Sequence, residues 1–204
     1  MENDRTALLV MDMQSGILSR LFEKSELIGK VAEAIKNARK NNITVIFVRL
    51  GFQKNMPEIN PANKSFGPLK KSLSNEALDS FMQIDPDLGI QETDIIVNKK
   101  RISAFSGSDL EIILRSLNIS SLVLTGIATS GIVLSTVREA FDRDYQLTVL
   151  SDACIDSDAE VHRFLIEKIF PKQAEVLTVK GWSLQVAISN MEFLCPQFEK
   201  APKV

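Results

Sequence analysis

SLVLTGIATSGIVLSTVREAFDRDYQLTVLSDA, residues 121–153, passes from a continuous apolar run through a short turn of small and hydroxyl residues into a helical pattern, then into a second apolar run. Val133, Val137, Ala140 and Phe141 mark the helical part, spaced to fall on one face. An apolar run without alternation reads as a strand covered on both sides, as in a parallel sheet. Strand, turn, helix and strand in that order predict a βαβ unit with a right-handed crossover. Four more runs extend the pattern outward: TALLVMDM from Thr6, ITVIFVRL from Ile43, DIIVNK from Asp94 and AEVLTV from Ala174. The expected fold is a doubly wound, mainly parallel six-stranded α/β sheet with helices on both faces, a Rossmann-like three-layer sandwich. Residues 1–204 are read as one domain.

Helical stripes lie between the runs. Leu27, Ile28, Val31, Ile35 and Ala38 form one, Leu110, Ile113, Leu114 and Leu117 a second, and Val161, Phe164, Leu165 and Ile169 a third. SDLE from Ser108 and SDAE from Ser157 match the capping box, in which Ser and Glu three apart satisfy helix-end N–H groups. Gly51 to Glu92 breaks the alternation, with one helical candidate at NEALDSFM, and such an excursion between core strands predicts a pocket wall or lid. The tail FLCPQFEKAPKV is expected to fray or to pack on a neighbour.

Hydrophobic residues make up 45% of the chain and charged residues 25%, an ordinary globular composition. With 24 basic and 26 acidic residues and no single-sign block, nothing marks a nucleic-acid or anionic-membrane partner. No apolar stretch approaches the roughly 20 residues of a membrane span, and the N-terminus lacks a secretory pattern, so a cytoplasmic location is expected. Cys154 and Cys195 read as reduced thiols. The single histidine, His162, reads as a helix-surface residue, and no His-rich metal site can be assembled.

In an open parallel sheet, ligands bind outside the carboxyl ends of the strands. Three ends carry chemistry there: VMDMQ with Asp12, VNKKRISAF with Lys99, and the turn TGIATSG. Each has a plain structural alternative, an Asp in a turn, a solvated Lys, or Thr and Ser capping a helix.

VMDMQ, KKRISAF and LVLTGIATSGIVLSTVREAFDRDY followed by LTVLSDA, taken in order, resemble the isochorismatase-like hydrolase superfamily, which includes isochorismatases, nicotinamidases and other cysteine hydrolases. RLGFQKNMPEINPANKSF is similar to a pocket-lining loop of part of that family. The resemblance implies that Asp12 is the acid/base carboxylate and Lys99 its partner, with Lys100 the rival. It implies a cis peptide at Ile127 to Ala128 and an oxyanion hollow lined by the N–H groups of Ala128 and Ile132. Gln14, Phe52 and Phe105 are expected to contact substrate. Family members are commonly oligomers, so a homo-oligomer is expected, with a small molecule as partner and neither metal nor other cofactor.

In the cysteine hydrolases the turn carries a nucleophilic Cys, and Ile132 occupies that place here. A hydrocarbon cannot attack a carbonyl, since thiolate catalysis needs sulfur and a neighbouring base. Cys154 could have taken over, whereas Thr129 and Ser130 lack an evident His base and read as helix caps. Isochorismatases proper dispense with the cysteine: the resemblance implies that the Asp protonates a vinyl ether, to which water then adds. Raising an Asp from about 3.9 to about 7 requires on the order of 4 kcal/mol, against a lysine that favours the ionised form. The sequence thus supports a cysteine-independent hydrolase of a small anionic molecule, with a catalytically silent ligand-binding or scaffold protein as the alternative.

Overall fold

The computed structural model describes residues 5–19 and 24–194. Six strands, β1 (Arg5–Met11), β2 (Thr44–Leu50), β3 (Ile95–Lys99), β4 (Ile119–Ile127), β5 (Gln146–Ile155) and β6 (Glu175–Leu177), pair in parallel in the order β3-β2-β1-β4-β5-β6. All six correspond to the apolar runs. Their continuity has the expected cause: Ala7 to Met11 in β1 are all buried, because Leu9 and Met11 enter one core and Leu8 and Val10 the other.

Among the described residues eight α-helices accompany the sheet: α1 (Ser15–Leu18), α2 (Lys24–Lys40), α3 (Phe66–Ser72), α4 (Asn75–Met82), α5 (Leu110–Ser116), α6 (Leu134–Phe141), α7 (Ala159–Phe164) and α8 (Val179–Leu194). On one face the stripe of α2 joins Val179 and Trp182 of α8 over Leu8, Val10, Phe47 and Val123. On the other, Leu110 and Leu114 of α5 and Val137 and Ala140 of α6 cover Leu9, Met11, Ile46 and Leu124. Each such Leu, Val, Ile, Phe or Met side chain, fully buried, contributes about 1.5–3 kcal/mol.

The chain winds from β1 to β2 to β3 in one direction, then returns to lay β4 on the other side of β1. In doubly wound sheets such a reversal marks the carboxyl ends of the flanking strands, here β1 and β4, as the place where ligands bind. There the two strands approach closely: a Cβ placed on Gly126 would lie 3.0 Å from the Met11 carbonyl oxygen.

Gly51 to Glu92 folds into its own apolar cluster, in which Phe52, Met56, Ile59, Phe66 and Phe81 join Leu50 at the end of β2. NEALDSFM is helical as expected, forming α4, with the Ser74 side chain accepting from Ala77 N–H at 3.3 Å. α3 was not foreseen: it begins where Asn63 Oδ1 accepts from the N–H groups of Ser65 and Phe66 at 3.0 and 2.9 Å.

Neither capping box forms. Asp158 caps α7, accepting from Glu160 and Val161 N–H at 2.9 and 3.1 Å, since a carboxylate is the stronger acceptor. At α5, Ser108 accepts only from Leu110 N–H at 3.3 Å, while Glu111 turns to Arg115 and Arg143. The third stripe is also looser than its spacing suggests. α7 runs into a wider turn at Leu165–Ile169, so Leu165 is buried while Val161 and Phe164 are 37% and 54% exposed. α8 carries Leu184 and Ile188 outward, so its apolar residues do not fall on one stripe. Cys195 and the tail beyond Leu194 lie outside the described residues. Among the described residues no helix is long and apolar enough to cross a membrane.

Candidate active site

β1 ends at Met11, and Asp12 follows with φ +57°, a left-handed conformation that Asp tolerates better than most residues. Its N–H still donates to Val48 O at 2.8 Å, so the turn begins while the chain is anchored to β2. Lys99 is the last residue of β3, in register with Leu50. The two side chains meet across the end of β2, Lys99 Nζ to Asp12 Oδ2 at 2.9 Å. Both are enclosed, Asp12 at 5% and Lys99 at 1% exposure.

The electrostatics of this pair is a contest. Burial pushes the Asp12 carboxyl up, and the Lys99 charge and hydrogen bond together with the Leu50 amide pull it back, leaving it raised from 3.8 to about 6. Burial likewise lowers Lys99, with Asp12 acting to raise it. Desolvation wins for both, as expected where water is excluded. Lys99 Nζ donates a second hydrogen bond to Arg101 O at 2.9 Å, which leaves one of its three protons uncommitted. Asp12 Oδ1 is buried with no hydrogen-bond partner among the described residues.

The Ile127–Ala128 peptide is cis. Thr129–Val133 then form one wide helical turn, broken at Gly131 (φ −94°, ψ −105°), before α6 begins. Ala128 O accepts from Gly131 and Val133 N–H at 3.1 and 3.3 Å. Ile132 is 2% exposed and belongs to the α5/α6 core.

Several expected residues have other occupations. The Gln14 amide is wholly buried and spent on main chain: Oε1 accepts from Leu50 N–H at 2.7 Å and Nε2 donates to Leu50 O at 3.0 Å. It braces the Asp12 turn against β2 and has no face left for a substrate. Phe105 turns into the core, with the Arg143 guanidinium 4.9 Å from its ring centroid and Tyr145 at 6.1 Å. Phe52 stays near the carboxyl edge, edge-on to Phe66, with Lys100 Nζ 5.9 Å from its centroid. Lys100, the rival lysine, is tied to Gly51 O and, at 3.4 Å, to Glu58. Cys154 is buried in β5, in register with Gly126 of β4, and its thiol is pushed up to about 12 by burial, so it supplies no thiolate near neutral pH.

Thr129, Ser130 and His162 depart furthest from expectation. No side-chain cap forms at this turn. Instead the wholly buried Thr129 places Oγ1 2.8 Å from His162 Nδ1, and Ser130 N–H donates to Asp156 Oδ2 at 2.7 Å. His162 is thus half-buried against the turn rather than a surface residue, 33 positions away in sequence. Only its being the sole histidine set it apart beforehand. Among the described residues no group of three or more His, Cys, Asp or Glu side chains is arranged to hold a metal ion.

Comparison with known proteins bears on this geometry. A family model described as the isochorismatase domain matches residues 6–181. An uncharacterized isochorismatase family protein of Bacillus subtilis is 31% identical over 182 residues, 89% of this chain and 94% of the relative. A ureidoacrylate amidohydrolase of Stutzerimonas stutzeri is 29% identical over 229 residues, covering 100% of this chain and 87% of the relative. The solved structure of an isochorismatase family protein from Burkholderia thailandensis superposes with a TM-score of 0.82 at 31% identity, covering 91% of this chain and 97% of the other.

Proposed function

Because this chain belongs to the isochorismatase family, we propose that it hydrolyses a small anionic substrate through Asp12 and Lys99, by acid–base chemistry that needs no cysteine. One observation carries the reading: a buried carboxyl, raised to about 6, whose Oδ1 has no partner among the described residues and whose Oδ2 is held 2.9 Å from an ammonium. The rise from 3.8 to about 6 corresponds to about 3 kcal/mol in favour of the protonated form. Such a group can keep a proton close to neutral pH and give it up to a substrate, the requirement for a general acid.

The step suited to it is the hydrolysis of an enol ether. Asp12 Oδ1–H gives its proton to the terminal carbon of the double bond, forming a C–H bond and an oxygen-stabilised cation. Water adds to that cation and returns a proton to the Asp12 carboxylate. The resulting hemiketal breaks its C–O bond, releasing an alcohol and a ketone. Lys99 stabilises the transient carboxylate, and its uncommitted N–H is available to an anionic group of the substrate. An assay across enol ethers, amides and imides, read by mass spectrometry, tests this. Turnover that disappears in Asp12→Asn is expected; unchanged turnover in that variant excludes the proposed acid.

The buried Ile132 favours a second reading, a pocket that binds a ligand without transforming it. Binding of a small carboxylate with no product from any member of the panel selects that reading instead.

A further inference from the structure

We propose that His162 and Asp156 clamp the turn after β4 from outside, His162 through the Thr129 hydroxyl and Asp156 through the Ser130 amide, and that both are positioning residues. Consecutive residues of one turn are each held by a separate side chain, at 2.8 and 2.7 Å. Both holding groups come from the same connection: Asp156 follows β5 directly, and His162 sits in α7. The clamp is itself anchored. Asp158 caps α7, and its carbonyl accepts from His162 N–H at 3.0 Å, which ties the main chain at His162 to the cap.

The hydroxyl is no bystander, since Thr129 is 0% exposed and the imidazole is the hydrogen-bond partner its side chain has in the structure. Neutral imidazole with its proton on Nε2 can accept from Thr129 O–H at Nδ1; imidazolium cannot, because both nitrogens then donate. Burial lowers the affinity of His162 for that proton and Asp156 acts to raise it. Asp156 remains charged: burial works to raise it, and hydrogen bonds from Ser130 and the amides of Asp158 and Ser157 hold it below the usual carboxylate range. The turn Thr129–Val133 brings no titratable group to the imidazole, and on α7 itself the charged residues are Glu160 and Arg163, the latter 3.8 Å from Glu167. The hydrogen bond therefore reverses direction when His162 takes up a proton, and the turn registers the change. The clamp rests on the proposed function only for what the turn holds, not for its own existence.

Because His162 is the sole histidine, one imidazole signal reports on it without assignment ambiguity. Nuclear magnetic resonance of the full chain, labelled on histidine and on backbone amides, tests the clamp without any substrate. The expected tautomer has the proton on Nε2, and the amides of Thr129 to Ile132 titrate together with His162. In His162→Ala these amides exchange at least about tenfold faster. In His162→Asn, whose side-chain oxygen takes the Nδ1 place, protection returns but the titration does not. Thr129→Ser retains both, and Thr129→Val uncouples the turn from the imidazole. A proton on Nδ1 at neutral pH, turn amides blind to His162 titration, or wild-type exchange in a folded His162→Ala protein overturns the clamp. Loss of turnover in Asp12→Asn with these signals unchanged, or the converse, separates the clamp from the proposed chemistry.

Discussion

At the β1–β3 end of the carboxyl edge a carboxyl and an ammonium meet 2.9 Å apart, both nearly sealed from solvent, whereas at the β4–β5 end the partners are a buried hydroxyl and a half-buried imidazole, with the Asp156 charge half-buried at the rim. The first arrangement is costly to half-remove and leaves an oxygen, Asp12 Oδ1, without a partner among the described residues. The second closes its hydrogen bonds on the turn and leaves no comparable atom. A desolvated carboxyl that holds its proton to higher pH than usual is what acid chemistry requires, and a satisfied hydrogen-bonded pair is what a fixed backbone requires. Under the proposed function, the contrast separates the acid from what holds its surroundings in place.

The comparison breaks most sharply at Asp12. Asp12→Asn keeps the shape and removes the transferable proton, and turnover is expected to fall about 10²–10⁴-fold, the usual worth of a general acid, as read by steady-state kinetics. Lys99→Met strands a buried carboxylate, and denaturant unfolding at pH 8 should show a loss of about 3–5 kcal/mol. The loss should shrink at pH 5, where Asp12 retains its proton. The native state holds that proton more tightly than the unfolded chain, so this group's stabilisation is complete below pH 3.8 and is lost as pH rises through about 6. The same proton gives the kinetic limb: kcat/KM should decline about tenfold for each pH unit above the Asp12 value, and a flat profile would remove Asp12 from the acid role. At the other end the effect is smaller. Thr129→Val should cost about 1 kcal/mol of stability in a thermal or denaturant melt, and a cost as large as that of Lys99→Met would erase the distinction between the two ends.

How much of this was legible in the sequence depended on whether the signal was local. The strands were readable because a parallel sheet buries both faces, and the stripes of α2 and α5 because amphipathic periodicity is written within each segment. Asp12 and Lys99 stood out as charges at the ends of apolar runs. What escaped was set by direction or by distance. Phe105 and Gln14 occupy the expected neighbourhood, yet one ring turns inward under Arg143 and one amide is consumed by Leu50, and backbone position does not determine either. The capping boxes failed at α7 because a neighbouring Asp competes better for the same N–H groups. The link between Thr129 and His162 joins two elements through β5, and nothing in either local pattern announces it.

Gly126 gives the site a dimension that no charged residue controls. Its missing Cβ would sit 3.0 Å from the Met11 carbonyl and 3.1 Å from the Met11 side chain, one residue before Asp12 on one strand and two before Ala128 on the other. The separation between the acid and the turn is therefore gauged by main chain pressed against main chain, like the jaw of a caliper. A methyl group at position 126 would wedge the jaw open, so the spacing of the two strand ends is governed partly by an atom that is not there to be recognised.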